Sequence, residues 1–258
     1  MLEQHPTFGN LIWAWLSLFA IVAIAAGFAT GFLQARKIQP GSFRWANVRR
    51  ELKFGLLNLA LTTLFITLAI NGLKAIGWIE INEAPAAWWV IAGEFALSFF
   101  LFDAYFYWVH RAMHLEPYYT RIHKLHHRST SPVPITSWSM NPVEGIIEGA
   151  FTPLFLMIFP IHATTVSLIV PTSLLMGLYV HCGFEVLPAW WNKSWLTKWF
   201  ISATFHDQHH RYFTGNFGGY TTIWDRLCGT MRGKYEADYE NAKAQIGAVP
   251  DARTETSA

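Results

Sequence analysis

Eleven histidines occur in this chain, and eight of them fall into three short groups that read H-R-A-M-H, H-K-L-H-H and H-D-Q-H-H. Imidazole nitrogens are common ligands of zinc, copper, iron and nickel. A single ion uses about three or four protein ligands, so eight clustered histidines predict two neighbouring metals of open identity. The grouped residues are His110, His114, His123, His126, His127, His206, His209 and His210.

Spacing predicts how these ligands are shared. His110 and His114 are four residues apart, which places both imidazoles on one helix face. In each H-x-x-H-H unit the spacing of three also predicts a shared face, and the adjacent histidine points elsewhere, so one unit can serve both metals. His181 follows an apolar stretch and is predicted as a ninth ligand. His162 lies inside that stretch and is predicted to pack, while His5 has no role.

Metal-bound imidazoles usually donate their second N–H to a carboxylate or a carbonyl. Asp103 lies seven residues before His110, and Glu144 and Asp225 lie within or near the motifs. We therefore predict these three carboxylates as catalytic-site residues that support the ligands. The alternative for each is a solvated charge or a helix cap.

The elements that position these residues are predicted to lie in a membrane. The 258 residues are 52% hydrophobic and only 14% charged, against about 25% charged in an average soluble domain. Apolar stretches of spanning length cover residues 11–33, 54–76, 86–109 and 146–180, and prolines break the last one into a hairpin. The expected fold is an all-α polytopic bundle of about four spans with a cytosolic helical cap that holds a dimetal site. A net charge of +2 gives no support for a nucleic-acid partner.

Charges in the loops predict the orientation. Glu80 and Glu83 are the charged residues between the second and third stretches, whereas the first loop is basic. The positive-inside rule then places the amino terminus outside and both the histidines and the carboxyl terminus in the cytosol. The basic residues are Arg36, Lys37, Arg44, Arg49, Arg50 and Lys53.

Three regions follow from this pattern: the amino-terminal spans with their basic loop (1–85), a catalytic region (86–232) and a polar carboxyl-terminal tail (233–258). Trp191, Trp195 and Trp199 recur at four-residue spacing, which predicts an amphipathic helix at the membrane interface. Residues 236–258 are small and polar, and we expect a poorly ordered tail.

Taken together, the motifs resemble the fatty acid hydroxylase / sterol desaturase superfamily over about residues 90–232. Besides the three histidine groups, the resemblance rests on D-A-Y-F-Y-W-V-H-R-A-M-H (103–114), N-P-V-E (141–144), H-C-G (181–183) and T-I-W-D-R-L-C-G-T (222–230). It implies a non-haem di-iron centre, with two iron ions and O2 as co-substrate. It also implies oxidation of a C–H bond in a membrane lipid, with hydroxylation favoured over desaturation. Electrons would come from a separate NAD(P)H-linked redox protein, cytochrome b5-like or ferredoxin-like, docked at the cytosolic face.

Two other functions would use the same histidine ligands. One is a zinc-dependent lipid hydrolase or isomerase, although the H-E-x-x-H motif of many zinc hydrolases is absent from the sequence. The other is a metal-handling membrane protein. Dependence of turnover on O2 and a reductant would separate both from an oxygenase.

Overall fold

Helices make up the regular structure of the chain. The computed structural model describes residues 38–39 and 45–248, and no β-strand occurs among them apart from two isolated bridges. The α-helices are α1 (Trp45–Ala75), α2 (Trp88–Met113), α3 (Tyr118–Arg121), α4 (Pro142–Gly149), α5 (Phe151–Ile158), α6 (Ala163–Val180), α7 (Ala203–Tyr212), α8 (Ile223–Leu227) and α9 (Tyr235–Ala248). Short 3-10 helices cover His123–Arg128, Pro134–Trp138 and Thr197–Trp199.

Three of the described helices are long and apolar enough to cross a membrane: Asn47–Ala75, Trp88–Met113 and Ala163–Val180. In the first two, only 11% of the most apolar stretch is buried inside the protein. Such helices leave most of their apolar side chains exposed outside the packed face and need a lipid environment. The protein is therefore an integral membrane protein. The predicted span at residues 11–33 lies outside the described residues.

Tryptophans mark both ends of α2. Trp88 is 75% exposed and Trp108 is 50% exposed, and their separation of 20 positions corresponds to about 30 Å of helix. That length matches the hydrocarbon core of a bilayer, about 30 Å thick, and tryptophan favours the two interfaces. The end of α2 that carries His110 therefore lies at a membrane boundary.

Basic residues occupy the first turns of α1. Arg49, Arg50 and Lys53 lie inside this helix and not in a loop, so the prediction of a loop up to residue 53 was wrong. The helix begins earlier because Glu51 is buried and accepts hydrogen bonds from the hydroxyls of Ser129 (2.5 Å) and Thr136 (3.1 Å). These contacts bind the start of α1 to the segment after the second histidine group.

The predicted hairpin region, residues 146–180, contains the end of α4 and all of α5 and α6, with residues 159–162 between the last two helices. His162 caps α6: its Nδ1 accepts from the Thr164 amide (3.0 Å) and its Nε2 donates to the Ala84 carbonyl (3.1 Å). Glu94 of α2 accepts from the His162 amide (3.0 Å) and from the Thr165 hydroxyl (2.6 Å). The prediction that His162 packs within the fold is confirmed.

Two predictions about the last third of the chain were wrong. The segment of Trp191, Trp195 and Trp199 consists of turns and the short 3-10 helix, because it is held by side chain to backbone bonds such as Thr197 Oγ1 to Trp191 O (2.7 Å). The expected disordered tail forms α9 as far as residue 248. The α9 helix is ordered because Tyr235 and Tyr239 bury their rings in a core with Phe205 of α7.

Candidate metal centre

Nine histidines converge into two adjacent groups. The five-histidine group consists of His110, His114, His123, His127 and His209. The four-histidine group consists of His126, His181, His206 and His210. Within each group the potential ligand atoms all lie within 4.8 Å of one another. The structure thus brings together every histidine that the sequence nominated as a ligand.

Four separate elements deliver these side chains. The end of α2 contributes His110 and His114, the 3-10 helix contributes the second group, and His181 is the residue that ends α6. Helix α7 carries the last group and is fixed at its start by Ser202, whose hydroxyl accepts from the Phe205 amide (3.1 Å). Glu185 also accepts there, from the Thr204 amide at 2.9 Å.

Spacing of four, and not of three, pairs histidines within one group. His206 and His210 belong to the same group and their rings are inclined by 72°. His206 and His209 stack at only 23°, with ring centroids 5.6 Å apart, and belong to different groups. The same division separates His126 from His123, which corrects the prediction that a spacing of three serves one metal.

The Nε2 atoms of all nine histidines face inward. Neighbouring Nε2 atoms in the five-histidine group are 2.8–3.1 Å apart, and those in the four-histidine group are 3.0–3.3 Å apart. Nitrogen lone pairs this close repel each other unless a proton or a cation lies between them. Each of the two groups could therefore hold a metal ion.

Backbone carbonyls fix most rings through the opposite nitrogen. A carbonyl can only accept, so Nδ1 carries the hydrogen and Nε2 keeps its lone pair for a metal. Among the described residues, Nδ1 of His127 and Nδ1 of His206 have no partner. The pairs are His110 with Phe217 O (2.9 Å), His181 with Gly177 O (2.7 Å), His209 with Gly215 O (2.8 Å), His210 with Ser129 O (3.0 Å) and His126 with Ser139 O (3.4 Å).

Burial keeps these imidazoles neutral. Burial is the largest cause that lowers the pKa of His181 to about 4. Burial also lowers the pKa of His114, to about 2, and the neighbouring charge of His110 lowers it further. Burial and then the neighbouring histidines lower the pKa of His123, His126, His127, His206, His209 and His210 well below its usual value. Neutral imidazole is the form that binds metal.

Of the three predicted carboxylates, Glu144 is the one that contacts a histidine. It accepts from Nδ1 of His123 at 2.6 Å, and burial followed by the nearby Glu148 raises the pKa of Glu144. Asp207, inside the last histidine group, accepts from Nε2 of Gln39 at 2.8 Å.

Asp103 and Asp225 bind backbone instead of imidazole, which corrects the expectation of direct support. Asp103 accepts from the amides of Tyr220 (2.9 Å) and Thr221 (2.8 Å). Asp225 accepts from the amides of Phe217 (2.9 Å) and Gly218 (2.7 Å). Both carboxylates hold the segment whose Phe217 carbonyl orients His110, so their effect on the ligands is indirect.

A cavity of about 190 Å³ lies against both groups. Its walls come from α1, α2, α4 and α6 and are mainly apolar. The histidines that line it are His110, His123, His126, His181 and His206. Glu148 also lines it and was not among the carboxylates predicted from the sequence. The available signal was its spacing of four from Glu144, which predicts the same face of α4.

Comparison with known proteins decides the family. The model of the fatty acid hydroxylase family matches residues 95–230, which include all nine converging histidines. The chain belongs to the fatty acid hydroxylase family. The predicted superfamily is thereby confirmed, and no solved structure matches the chain.

Relatives within the family are named as sterol oxidases. The chain is 32% identical to a putative methylsterol monooxygenase of Dictyostelium discoideum, over 77% of this chain and 73% of the relative. It is 31% identical to a methylsterol monooxygenase of Aspergillus fumigatus, over 60% of this chain and 52% of the relative. It is 28% identical to the human lathosterol oxidase, over 72% of this chain and 61% of that protein. The chain thus spans 52–73% of these three relatives.

Proposed function

We propose that this protein is an O2-dependent oxidase that hydroxylates a C–H bond of a sterol-like membrane lipid at a pair of histidine-bound iron ions. The observation that carries the proposal is that two adjacent groups of buried imidazoles open on one apolar cavity. The relatives' names, methylsterol monooxygenase and lathosterol oxidase, support the reaction and the lipid class.

The nine histidines fit two metal ions. Neighbouring Nε2 atoms lie 2.8–3.3 Å apart, so those of each group could bind one ion together. Imidazole suits zinc and copper as well as iron. The names of the relatives, a monooxygenase and an oxidase, support a redox metal such as iron. When bound, the iron ions would supply the redox chemistry with O2 that side chains lack.

The chain's own residues would orient the metal ligands and exclude water. Carbonyls of Phe217, Gly177 and Gly215 hold three ligand rings in fixed orientations. Phe102, Leu174 and other apolar side chains wall the cavity. A lipid would enter this cavity from the bilayer. Because the apolar walls exclude water, electrostatic interactions inside the cavity would be stronger than in water.

The electron donor would dock at the histidine end. Lys124, Arg128 and Arg211 flank the histidine groups and are exposed, so they offer a cationic surface to an acidic cytochrome b5-like or ferredoxin-like protein. Salt screens interactions between exposed charges, so reduction of the protein by such a donor should slow as the ionic strength rises. A reduction rate that does not depend on salt would contradict this docking surface.

The basic start of α1 lies at the same end as the histidines, and the exposed Glu80 and Glu83 lie at the opposite end of α2. The positive-inside rule therefore supports a cytosolic site.

Metal content tests the proposal. Detergent-purified protein should contain two irons per chain and should consume O2 when a reductant and a lipid are supplied. His126→Ala and His209→Ala should lose iron, whereas His162→Gln is the matched control and should keep it, because His162 lies outside both groups. Zinc alone, with no O2 consumption after anaerobic loading with iron, would favour the hydrolase or metal-handling alternatives.

A further inference from the structure

Glu148 lies on the wall of the cavity that the two histidine groups share. Of the described residues lining this cavity, it is the one carboxylic acid. It follows Glu144 by four residues on α4, so both project from the same face, about 6 Å apart along the helix axis. Glu144 in turn contacts the ligand His123 at 2.6 Å.

The carboxyl group of Glu148 has no hydrogen-bond partner in the part of the chain that the structure describes. Asp103 and Asp225 each accept several hydrogen bonds, whereas Glu144 accepts from His123 through one oxygen and its other oxygen has no partner among the described residues. A polar group that is removed from water without a partner is costly. The carboxyl group of Glu148 can therefore still form hydrogen bonds, and it lines the cavity.

Several other polar groups of the cavity wall are engaged with the protein. The Tyr220 hydroxyl pairs with Ser173 at 2.7 Å. Asn58 donates to Trp138 O (3.3 Å) and accepts from Thr62 (3.1 Å). A lipid hydroxyl in the cavity would meet Glu148 as the one carboxyl group among the described residues of this wall.

The protonation state of Glu148 suits an alcohol. Burial raises the pKa of Glu148 to about 8, so the carboxyl group carries a proton at neutral pH. A protonated carboxyl both donates and accepts, and a hydroxyl does the same. A cationic amine would instead favour the ionised form of Glu148, and that ionised form would repel an anionic headgroup.

We propose that Glu148 binds the hydroxyl group of a sterol substrate and so determines which carbon faces the histidines. This rests on the function proposed above and names the group that selects the substrate. Glu148 shares the cavity wall with five of the histidines, so a hydroxyl bound to it would hold the substrate against both histidine groups.

Binding in detergent micelles tests this without turnover. Radiolabelled lathosterol should bind about tenfold more tightly than its 3-deoxy analogue, which corresponds to one hydrogen bond. Glu148→Leu should lose this preference, and Glu148→Gln should retain part of it, because an amide also donates and accepts. Glu83→Leu, at an exposed position remote from the cavity, should bind as the unaltered protein does.

Three results would overturn the proposal: equal binding of alcohol and deoxy analogue by the unaltered protein, an unchanged preference in Glu148→Leu, or tighter binding of the 3-amino analogue at pH 7. Failure to bind lathosterol at all would overturn the sterol assignment. Metal content of each variant is measured in parallel. Absence of iron with intact alcohol selection would count against the oxidase function alone, and full iron with no selection would count against Glu148 alone.

Discussion

His123 donates its Nδ1 hydrogen to Oε1 of Glu144 across 2.6 Å, and both side chains are fully buried. The second oxygen of Glu144 has no partner among the described residues. This carboxylate therefore acts on the five-histidine group through one ring. Its contact fixes the tautomer of His123 and directs Nε2 towards the other ligands.

Loss of this contact should weaken metal binding. Glu144→Ala should lower the affinity of the five-histidine group by about 10- to 100-fold, the usual effect of removing a hydrogen-bond partner of a ligand histidine. Glu144→Gln keeps an acceptor oxygen and should bind more tightly than the alanine variant. Iron retained after dialysis against a graded chelator series measures both. Equal retention in Glu144→Ala and the unaltered protein would show that His123 needs no such support.

The division of ligands between the two groups predicts how double variants behave. Combining His127→Ala with His209→Ala removes two ligands of the five-histidine group and should leave about one iron per chain. Combining His126→Ala with His127→Ala alters adjacent residues but removes a ligand from each group, and should reduce both occupancies.

Metal counts per chain compare these two double variants directly, and each serves as the control for the other. The same residual content in both variants would contradict the division into two groups. A general loss of fold is recognised separately by a lowered thermal unfolding midpoint in the metal-free state.

Metal-free protein should lose stability in acid. The pKa of His181 in the folded protein, about 4, lies below the value of about 6.5 for an unfolded histidine, because the ring is buried. Between these two values the unfolded chain binds a proton that the folded chain does not, so stability falls as the pH drops from about 6.5 to about 4. Above pH 6.5 His181 is neutral in both states and contributes no slope.

Thermal unfolding midpoints of chelator-treated protein across this pH range check the sign. His181→Ala should show a shallower decline than the unaltered protein, because one buried imidazole is gone. A midpoint that rises as the pH falls would mean that the histidines gain protons on folding.

Opposite ends of α2 should be labelled from opposite sides of the membrane. In a background with Cys182→Ala and Cys228→Ala, Glu83→Cys should react with an impermeant thiol reagent from outside only. Lys124→Cys, beside the histidine groups and exposed, should react from the cytosolic side only. Labelling of both positions from one side would contradict a spanning α2, and exchange of the two sides would invert the proposed orientation.

Local pattern was enough to nominate the candidate ligands and to predict the helical membrane fold. Nine histidines could be nominated because their spacing of three or four, or their place after an apolar stretch, depends on residues close in sequence. The apolar helices could likewise be predicted, because the thickness of the bilayer, and not contact with a specific partner, sets their length and composition. His162 was correctly set aside, since it has no neighbour at ligand spacing.

Only the tertiary structure decided which ligands share a site and what the acids do. His209 joins His114, 95 residues away, with Nε2 atoms 3.1 Å apart, and no local periodicity encodes that pairing. Asp103 and Asp225 bind the backbone of a loop, α9 is ordered by tyrosines that pack on α7, and Glu148 faces the cavity. The physical reason is the same in each case: burial and hydrogen bonding between distant segments depend on packing, whereas spacing along the chain determines only which side of a helix a residue occupies.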